Sequence, residues 1–424
     1  MTCPGYEFFL GFLRIFLYTF DPNTLEWEGP RMRLLIIFLL GVSLMTACKH
    51  NGKDASEIKS ETAQYVTVVG KNFLYRGKTF HFVLANLWYG MNLGAEKSGD
   101  RDRLDRELDR LQKLGVQVVR VVAGTEGPDS EPIRIKPSLQ YAPGQYNQDV
   151  LEGLDYVLNA LDQRGMKAIV CLNNYWTWSG GFGQYLVWAG DREKLPYPPP
   201  VADVSFDEYQ KFVARFYSNV KARKIFDDFV QFIVGRHANR DTIMAWELAN
   251  EPRPMDNLEG YKDWVKQSSA LIKRLSPKNL VTVGSEGDTP HPTYSHTDYY
   301  EDHNFPDIDF GTMHIWPENF GWFDPKDPGS IAGARLKVFA YIETHIQKTE
   351  RLGKPLLLEE FGLARDNRSY EQGTSTELKD ALYQAIFSKV IESARSQRGL
   401  QAVGFWAWGG EGRPSKPGEM WKFV

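Results

Sequence analysis

The sequence predicts an α/β chain folded as one (β/α)8 barrel, a TIM barrel. Eight short apolar runs alternate with segments of helical period, over about the length such a barrel takes, typically ~250 residues and more with insertions. Polar and aromatic residues gather just after the apolar runs, where a barrel has its working face. A doubly wound open sheet is the competing arrangement. It is disfavoured because no glycine-rich phosphate loop follows the first strand.

The elements follow in order. A hairpin at Tyr75-Arg76-Gly77-Lys78 leads into a first strand over 82–86. Leu104, Leu108, Leu111 and Leu114 mark one helical face, with Gly115 placed to end the helix. A β-branched strand over 116–122 follows. Leu151, Leu154, Leu158 and Leu161 repeat the helical pattern up to Gly165, before a third strand at 168–172. Phe226, Phe229, Val230 and Ile233 form the next helical face, and 243–249 the fourth strand. The remaining strands are read at 280–283, 310–315, 356–360 and 402–408, with helices over 264–275, 336–346 and 378–394. The loops after the third and sixth strands are long and aromatic, with Trp176, Trp178, Phe182, Tyr185 and Trp188 in one and Trp316, Phe320, Trp322 and Phe323 in the other. They suggest the walls of a cleft that stacks on flat ligand faces.

The first residues read as a leader. Met32-Arg33 opens a basic region, an apolar run spans 34–44, and Met45-Thr46-Ala47-Cys48 follows, which is the layout of a secretory signal. The small residues before Cys48 resemble a bacterial lipobox. A membrane anchor helix is the alternative, but spanning takes roughly 20 apolar residues. We therefore expect 1–47 to be leader, with 1–31 an artefact of start assignment ahead of Met32. Cys48 is then lipidated, 48–64 is a flexible tether, and 65–424 is the barrel domain. The expected location is outside the cytoplasm, on an outer-membrane lipoprotein's periplasmic or surface face, with the membrane contacted only through Cys48. The chain stops 16 residues after Trp408 (424 − 408), which leaves no clear eighth helix and suggests a truncated closure.

Net charge is −4 with no basic run, so nothing argues for nucleic acid. Of three cysteines, Cys3 and Cys48 fall in the leader and Cys171 stays unpaired, which excludes an internal disulfide. No metal-ligand spacing exists, and neither a metal nor an organic cofactor is expected. An aromatic fraction of 13%, with 12 Trp, suits a protein that stacks on flat apolar ligand faces, and the chain is expected to act as a monomer.

Two runs carry the chemistry: Trp246-Glu247-Leu248-Ala249-Asn250-Glu251-Pro252-Arg253 and Pro355-Leu356-Leu357-Leu358-Glu359-Glu360-Phe361-Gly362. Each is an apolar strand ending in a glutamate before a Pro or Gly break. Two carboxylates brought to one cleft are what glycosidic bond cleavage needs, one protonated as acid and one attacking or activating water. Glu251 could instead be a charge at a helix N-terminus. Glu359 and Glu360 compete for the second role, because alternation puts them on opposite faces and the inward face at the rim stays open. Glu247 lies four residues deeper than Glu251 and reads as a paired structural charge. Arg120, among Val118, Val119, Val121 and Val122, needs a carboxylate partner. Glu360, which it would keep ionised, and Glu247 are equal candidates. His314 could contact sugar or carboxylates, or simply pack at the rim.

With these residues in place the chain resembles glycoside hydrolase family 5, and within it the endo-β-1,4-mannanase subfamily. Asn250-Glu251-Pro252 is similar to the family's acid/base motif, and Glu360-Phe361-Gly362 to its nucleophile motif. The resemblance assigns attack to Glu360 and leaves Glu359 facing away. It implies that Asn250 binds the substrate 2-hydroxyl, and that Arg120, His314 and Trp406 belong to the active site. Arg253, in the run with Glu251, and Glu286, in Gly284-Ser285-Glu286-Gly287, would line the leaving-group side. Trp88 and Trp316 are read as further sugar contacts from their positions after the first and sixth strands. Trp316 departs from the pattern, since many relatives have a tyrosine there that bonds the nucleophile, and an indole cannot accept. The implied activity is retaining hydrolysis of mannan, glucomannan or galactomannan. The alternatives are an exo-acting mannosidase, another β-glycanase, or a non-catalytic glycan-binding lipoprotein.

Overall fold

The computed structural model describes residues 64–290 and 295–413. The expectations for the leader, the Cys48 anchor, the tether and a truncated closing helix fall on residues outside these.

Eight parallel strands form the barrel: β1 (Phe82–Asn86), β2 (Val118–Val122), β3 (Lys167–Cys171), β4 (Ile243–Glu247), β5 (Leu280–Thr282), β6 (Gly311–Ile315), β7 (Leu356–Phe361) and β8 (Leu400–Phe405). Seven helices follow them in turn: α1 (Arg101–Lys113), α2 (Gln148–Gln163), α3 (Val220–Arg236), α4 (Leu258–Leu275), α5 (Tyr299–His303), α6 (Ser330–Leu352) and α7 (Glu377–Arg395). The strand order β5-β4-β3-β2-β1-β8-β7-β6 places β5 and β6 at the two ends of the ladder. Individual bonds tie these ends together. Asp309 N–H donates to the Val281 carbonyl at 2.8 Å, and His314 N–H to the Glu286 carbonyl at 3.0 Å. Thr282 Oγ1 donates to the Phe310 carbonyl at 3.0 Å.

Helix ends follow local chemistry. Asp100 accepts from Arg103 N–H, Asn147 from Val150 N–H and Asn219 from Ala222 N–H, each satisfying a first-turn donor. Gly115 and Gly165 take left-handed backbone just beyond α1 and α2, as their positions in the sequence predict.

The barrel interior is graded from apolar to charged. At the strand beginnings Phe82, Leu84, Val118, Ile169, Ala245, Leu280, Leu357 and Ala402 pack together, and the N-terminal hairpin adds Val66 and Phe73 as a plug. Toward the strand ends the same face carries Asn86, Arg120, Glu247, Thr282, His314 and Glu359, all buried. Because the apolar layer below excludes water, these charges must satisfy one another.

Two sequence expectations change here. The eighth strand ends at Phe405, and Trp406–Trp408 belong to the loop beyond it. The long β3 loop also folds into helices, Gly181–Trp188 and Phe206–Ala214. Phe182 and Tyr185 are therefore fully buried in packing against Phe216 and Phe226 rather than lining a cleft.

Candidate active site

The mouth of the barrel holds a cleft of about 540 Å³, lined by Trp176, Trp178, Glu251, Arg253, Glu286, Trp316, Glu360 and Trp406 among others. Arg120 and His314 lie beneath its floor, each at most 1% exposed.

Glu251 follows β4 in left-handed backbone, φ 52°. Such a conformation in a non-glycine residue costs about 1–3 kcal/mol and persists only where the surroundings enforce it. Here Glu251 N–H donates to the Gly284 carbonyl at 2.9 Å. Gly284 is itself at φ 82°, and any Cβ on it would lie 2.0 Å from the Ala249 carbonyl. Only glycine lets the β5 turn approach closely enough to hold Glu251. The Glu251 carboxylate accepts from Trp176 Nε1 at 2.5 Å and Trp316 Nε1 at 3.3 Å, and contacts His314 Nδ1 at 2.7 Å.

Glu359 does not face away. Leu357 belongs to the barrel-interior cluster while Leu356 and Leu358 pack outward, so simple alternation puts Glu359 inside. The β6–β7 register then slips: Met313 pairs with Leu358 but His314 with Glu360. This irregularity turns Glu360 toward the mouth as well. Both glutamates therefore reach the charged layer. Glu359 Oε2 lies 3.3 Å from His314 Nε2, and Glu360 Oε2 lies 3.5 Å from His314 Nδ1.

Arg120 takes both of the partners left open by the sequence. It binds Glu247 through two N–H groups at 2.5 and 2.7 Å, donates to Glu360, and donates to Asn86 Oδ1 at 3.0 Å and Asn250 Oδ1 at 2.9 Å. Glu247 is thus a paired structural charge. Asn250 also donates to Asn174 Oδ1 at 3.1 Å, which fixes its amide at the cleft wall.

Arg253 and Glu286 form a bidentate pair at 2.7 and 3.0 Å. The Arg253 guanidinium lies 4.8 Å over the Trp176 ring, a cation–π contact that braces the indole. Trp316 bonds Glu251 rather than the nucleophile candidate. Trp406 stands 6.0 Å from Trp178 and 6.5 Å from Trp316. Trp88 is not on this cleft. It packs edge-on to Trp178 and lines a smaller pocket with Asn92, Ser98 and Ile135. Sequence reasoning left Gln210, Phe206 and Asn319 unnamed, although they line the cleft. Gln210 and Phe206 sit on a helix inside a loop, and only the 49% exposure of Phe206 marks it out.

The protonation of the cluster follows from burial and charge. Burial pushes Glu360 up to about 7, against the pull of His314 and Arg120. Burial would raise Glu251 too, but His314, Arg253 and the Trp176 donor hold it down to about 2. Burial disfavours the His314 imidazolium, yet the charges of Glu360, Glu251 and Glu359 lift it well above its ordinary value. Glu251, His314 and Glu360 bring ligand-type atoms within 4.8 Å of one another, a spacing that would also suit a metal ion. Their oxygens are, however, engaged by Trp176, Trp316 and Arg120 N–H donors, which suits proton chemistry.

The same 4.8 Å limit places carboxylate oxygens of Glu251 and Glu360 near each other. Double displacement at a sugar uses carboxyl groups roughly 5–5.5 Å apart, whereas inversion needs ~6.5–9.5 Å to admit water.

The chain is similar over most of its length to proteins of known family. The family model described as GH family 5 beta-mannosidase-like matches residues 63–424. Mannan endo-1,4-beta-mannosidase 7 of Arabidopsis thaliana is 28% identical over 392 residues, covering 89% of this chain and 84% of the relative. A glycoside hydrolase family 5 mannosidase structure from Rhizomucor miehei superposes with TM-score 0.76 at 36% identity, covering 84% of this chain and 88% of that one. An endo-1,4-beta-D-mannanase structure from Thermotoga petrophila gives 0.61 at 25%, covering 79% and 90%.

Proposed function

We propose, because the chain belongs to the glycoside hydrolase family 5 β-mannosidase-like family, that it is a retaining endo-β-1,4-mannanase acting on mannan, glucomannan or galactomannan. The observation that carries the mechanism is the approach of the Glu251 and Glu360 oxygens within 4.8 Å. The substrate class is supported by the mannan-cleaving names of relatives at 27–28% identity.

In the first step a Glu360 oxygen attacks the anomeric carbon as Glu251 delivers its proton to the glycosidic oxygen. The C–O bond breaks and the leaving chain departs as an alcohol. In the second step Glu251, now a carboxylate, takes a proton from water, whose oxygen displaces Glu360 and restores the β-configured sugar. Arg120 anchors Glu360 from below, and Asn250 faces the 2-hydroxyl. Trp406 supplies a platform for the sugar ring, while Arg253 and Glu286 meet the leaving-group side.

One observation favours a second reading. The Rhizomucor miehei structure at 36% identity is described as a mannosidase and has been solved with mannosyl-fructose, which suits an exo-acting enzyme on short chains. Digestion of mannan, cellulose and xylan with product-length analysis separates these. Internal cleavage gives mixed oligosaccharides from mannan, exo action gives mannose alone from mannan or mannohexaose, and cleavage of neither refutes both. NMR of the first-formed product reads the anomer, and an inverted one would refute double displacement. Glu251→Ala and Glu360→Ala should each lower turnover by at least ~10²-fold with little loss of stability.

We further propose export as a lipoprotein anchored at Cys48, which the signal layout around that residue supports. Mass spectrometry of the mature N-terminus tests this, since a lipid-modified Cys48 supports it and an unmodified Met32 start refutes it.

A further inference from the structure

The cluster as folded puts its proton in an unexpected place. Hydrolysis needs a protonated Glu251, yet Glu251 is surrounded by N–H donors that stabilise its carboxylate, namely two indoles and an imidazole nitrogen. The imidazole of His314 is fully buried and held at both ends, 2.7 Å from Glu251 Oε1 at Nδ1 and 3.3 Å from Glu359 Oε2 at Nε2. A ring flanked by a carboxylate at each nitrogen is favoured as the doubly protonated cation.

We infer that His314 is the proton store that loads Glu251, and that Glu359 is the positioning residue that keeps the store charged. The inference rests on the reading of Glu251 as the acid. In the free enzyme the imidazolium carries the proton and Glu251 is ionised. When a sugar chain fills the cleft, it strips water from Glu251 and disfavours that charge. The Nδ1 proton then crosses the 2.7 Å bond to Glu251 Oε1, leaving a neutral imidazole whose Nε2–H still donates to Glu359. The total proton count is unchanged, and the second hydrolytic step returns Glu251 to its protonated form.

The other charged groups facing the ring have separate tasks. Glu360, 3.5 Å from Nδ1, is anchored by Arg120, which also holds Glu247 and lies 3.7 Å from Glu359. Arg253 and Glu286 pair with each other. Glu359 lies nearer to His314, at 3.3 Å, than to Arg120, at 3.7 Å, and it has no place at the cleft wall.

The test uses the full chain, and Glu359→Gln keeps the shape while removing the charge. In 15N NMR of the histidine rings, with His314 assigned by its loss in His314→Gln, both ring nitrogens should be protonated at pH 7. In Glu359→Gln the ring should lose its proton at least about one pH unit lower. The basic limb of kcat/KM on mannohexaose should move down by the same amount, and Glu359→Asp should restore it. A neutral wild-type ring at pH 7, or a basic limb unmoved in Glu359→Gln, overturns the inference. If Glu359→Gln does not fold, the wild-type ring titration alone decides. If the wild type cleaves no mannan substrate, the proposed function falls, while the ring titration still judges the proton store.

Discussion

The Trp176 indole donates its Nε1–H to Glu251 Oε2 at 2.5 Å. A cleft-lining aromatic residue is therefore also an electrostatic partner of the proposed acid. Trp176→Phe keeps a ring at the wall and removes a donor to the carboxylate. Hydrogen bonds to charged groups are worth ~1.5–3 kcal/mol, so the Glu251–His314 pair should hold its proton more tightly by about one pH unit or more. The basic limb of kcat/KM should move upward, opposite to the shift in Glu359→Gln. A downward or absent shift in the pH–rate profile would show that the bond is not felt by the acid.

In the proposed mechanism Glu360 must be ionised to attack, and burial lifts it to about 7. Below that value the nucleophile carries a proton, so kcat/KM should fall as the solution becomes more acidic than about pH 7. Together with the basic limb this makes a bell. An acid limb near the ordinary carboxylate value would mean that Arg120 dominates over burial.

Arg120 is 1% exposed and serves two carboxylates directly, with a third at 3.7 Å. Arg120→Met leaves those charges without their counterion. Breaking a buried pair in this way costs ~3–5 kcal/mol, which denaturant unfolding would register as a lowered midpoint. A loss below about 1 kcal/mol would indicate that the carboxylates simply take up protons instead.

Asp302, bonded to Ser285 in the turn beside Glu286, is pushed up to about 8 by burial. The unfolded carboxyl loses its proton near 3.8, so between 3.8 and about 8 the folded state binds more protons. Stability then falls as pH rises across that window, by at most ~1.4 kcal/mol per pH unit. Asp302→Asn should flatten the slope between pH 5 and 8 in unfolding titrations. An unchanged slope would assign the effect to other groups.

The barrel was legible because each strand is a short apolar run and each helix face repeats every three to four residues. The Glu251 and Glu360 positions were legible from the runs that end in them. Glu359 was misplaced because alternation holds only while register holds, and the slip between Met313 and His314 is a pairing event that no single strand encodes. Phe182 and Tyr185 read as cleft walls in the sequence because a loop helix hides its aromatic residues in the same composition that an open wall would show. The joint claim of Glu247 and Glu360 on one guanidinium could not be read from Arg120 alone, since it depends on β2, β4 and β7 meeting at one depth.

The N-terminal hairpin described above closes the barrel at the end away from the cleft, with the Gln64 carbonyl accepting from Lys167 Nζ at the first residue of β3. The first described residue, Gln64, therefore lies at the rear of the barrel, opposite the cleft. A support fastened at this end would leave the cleft facing outward, open to a long chain. Attachment through this end, whether by lipid, resin or fused partner, is therefore predicted to leave activity on long chains intact.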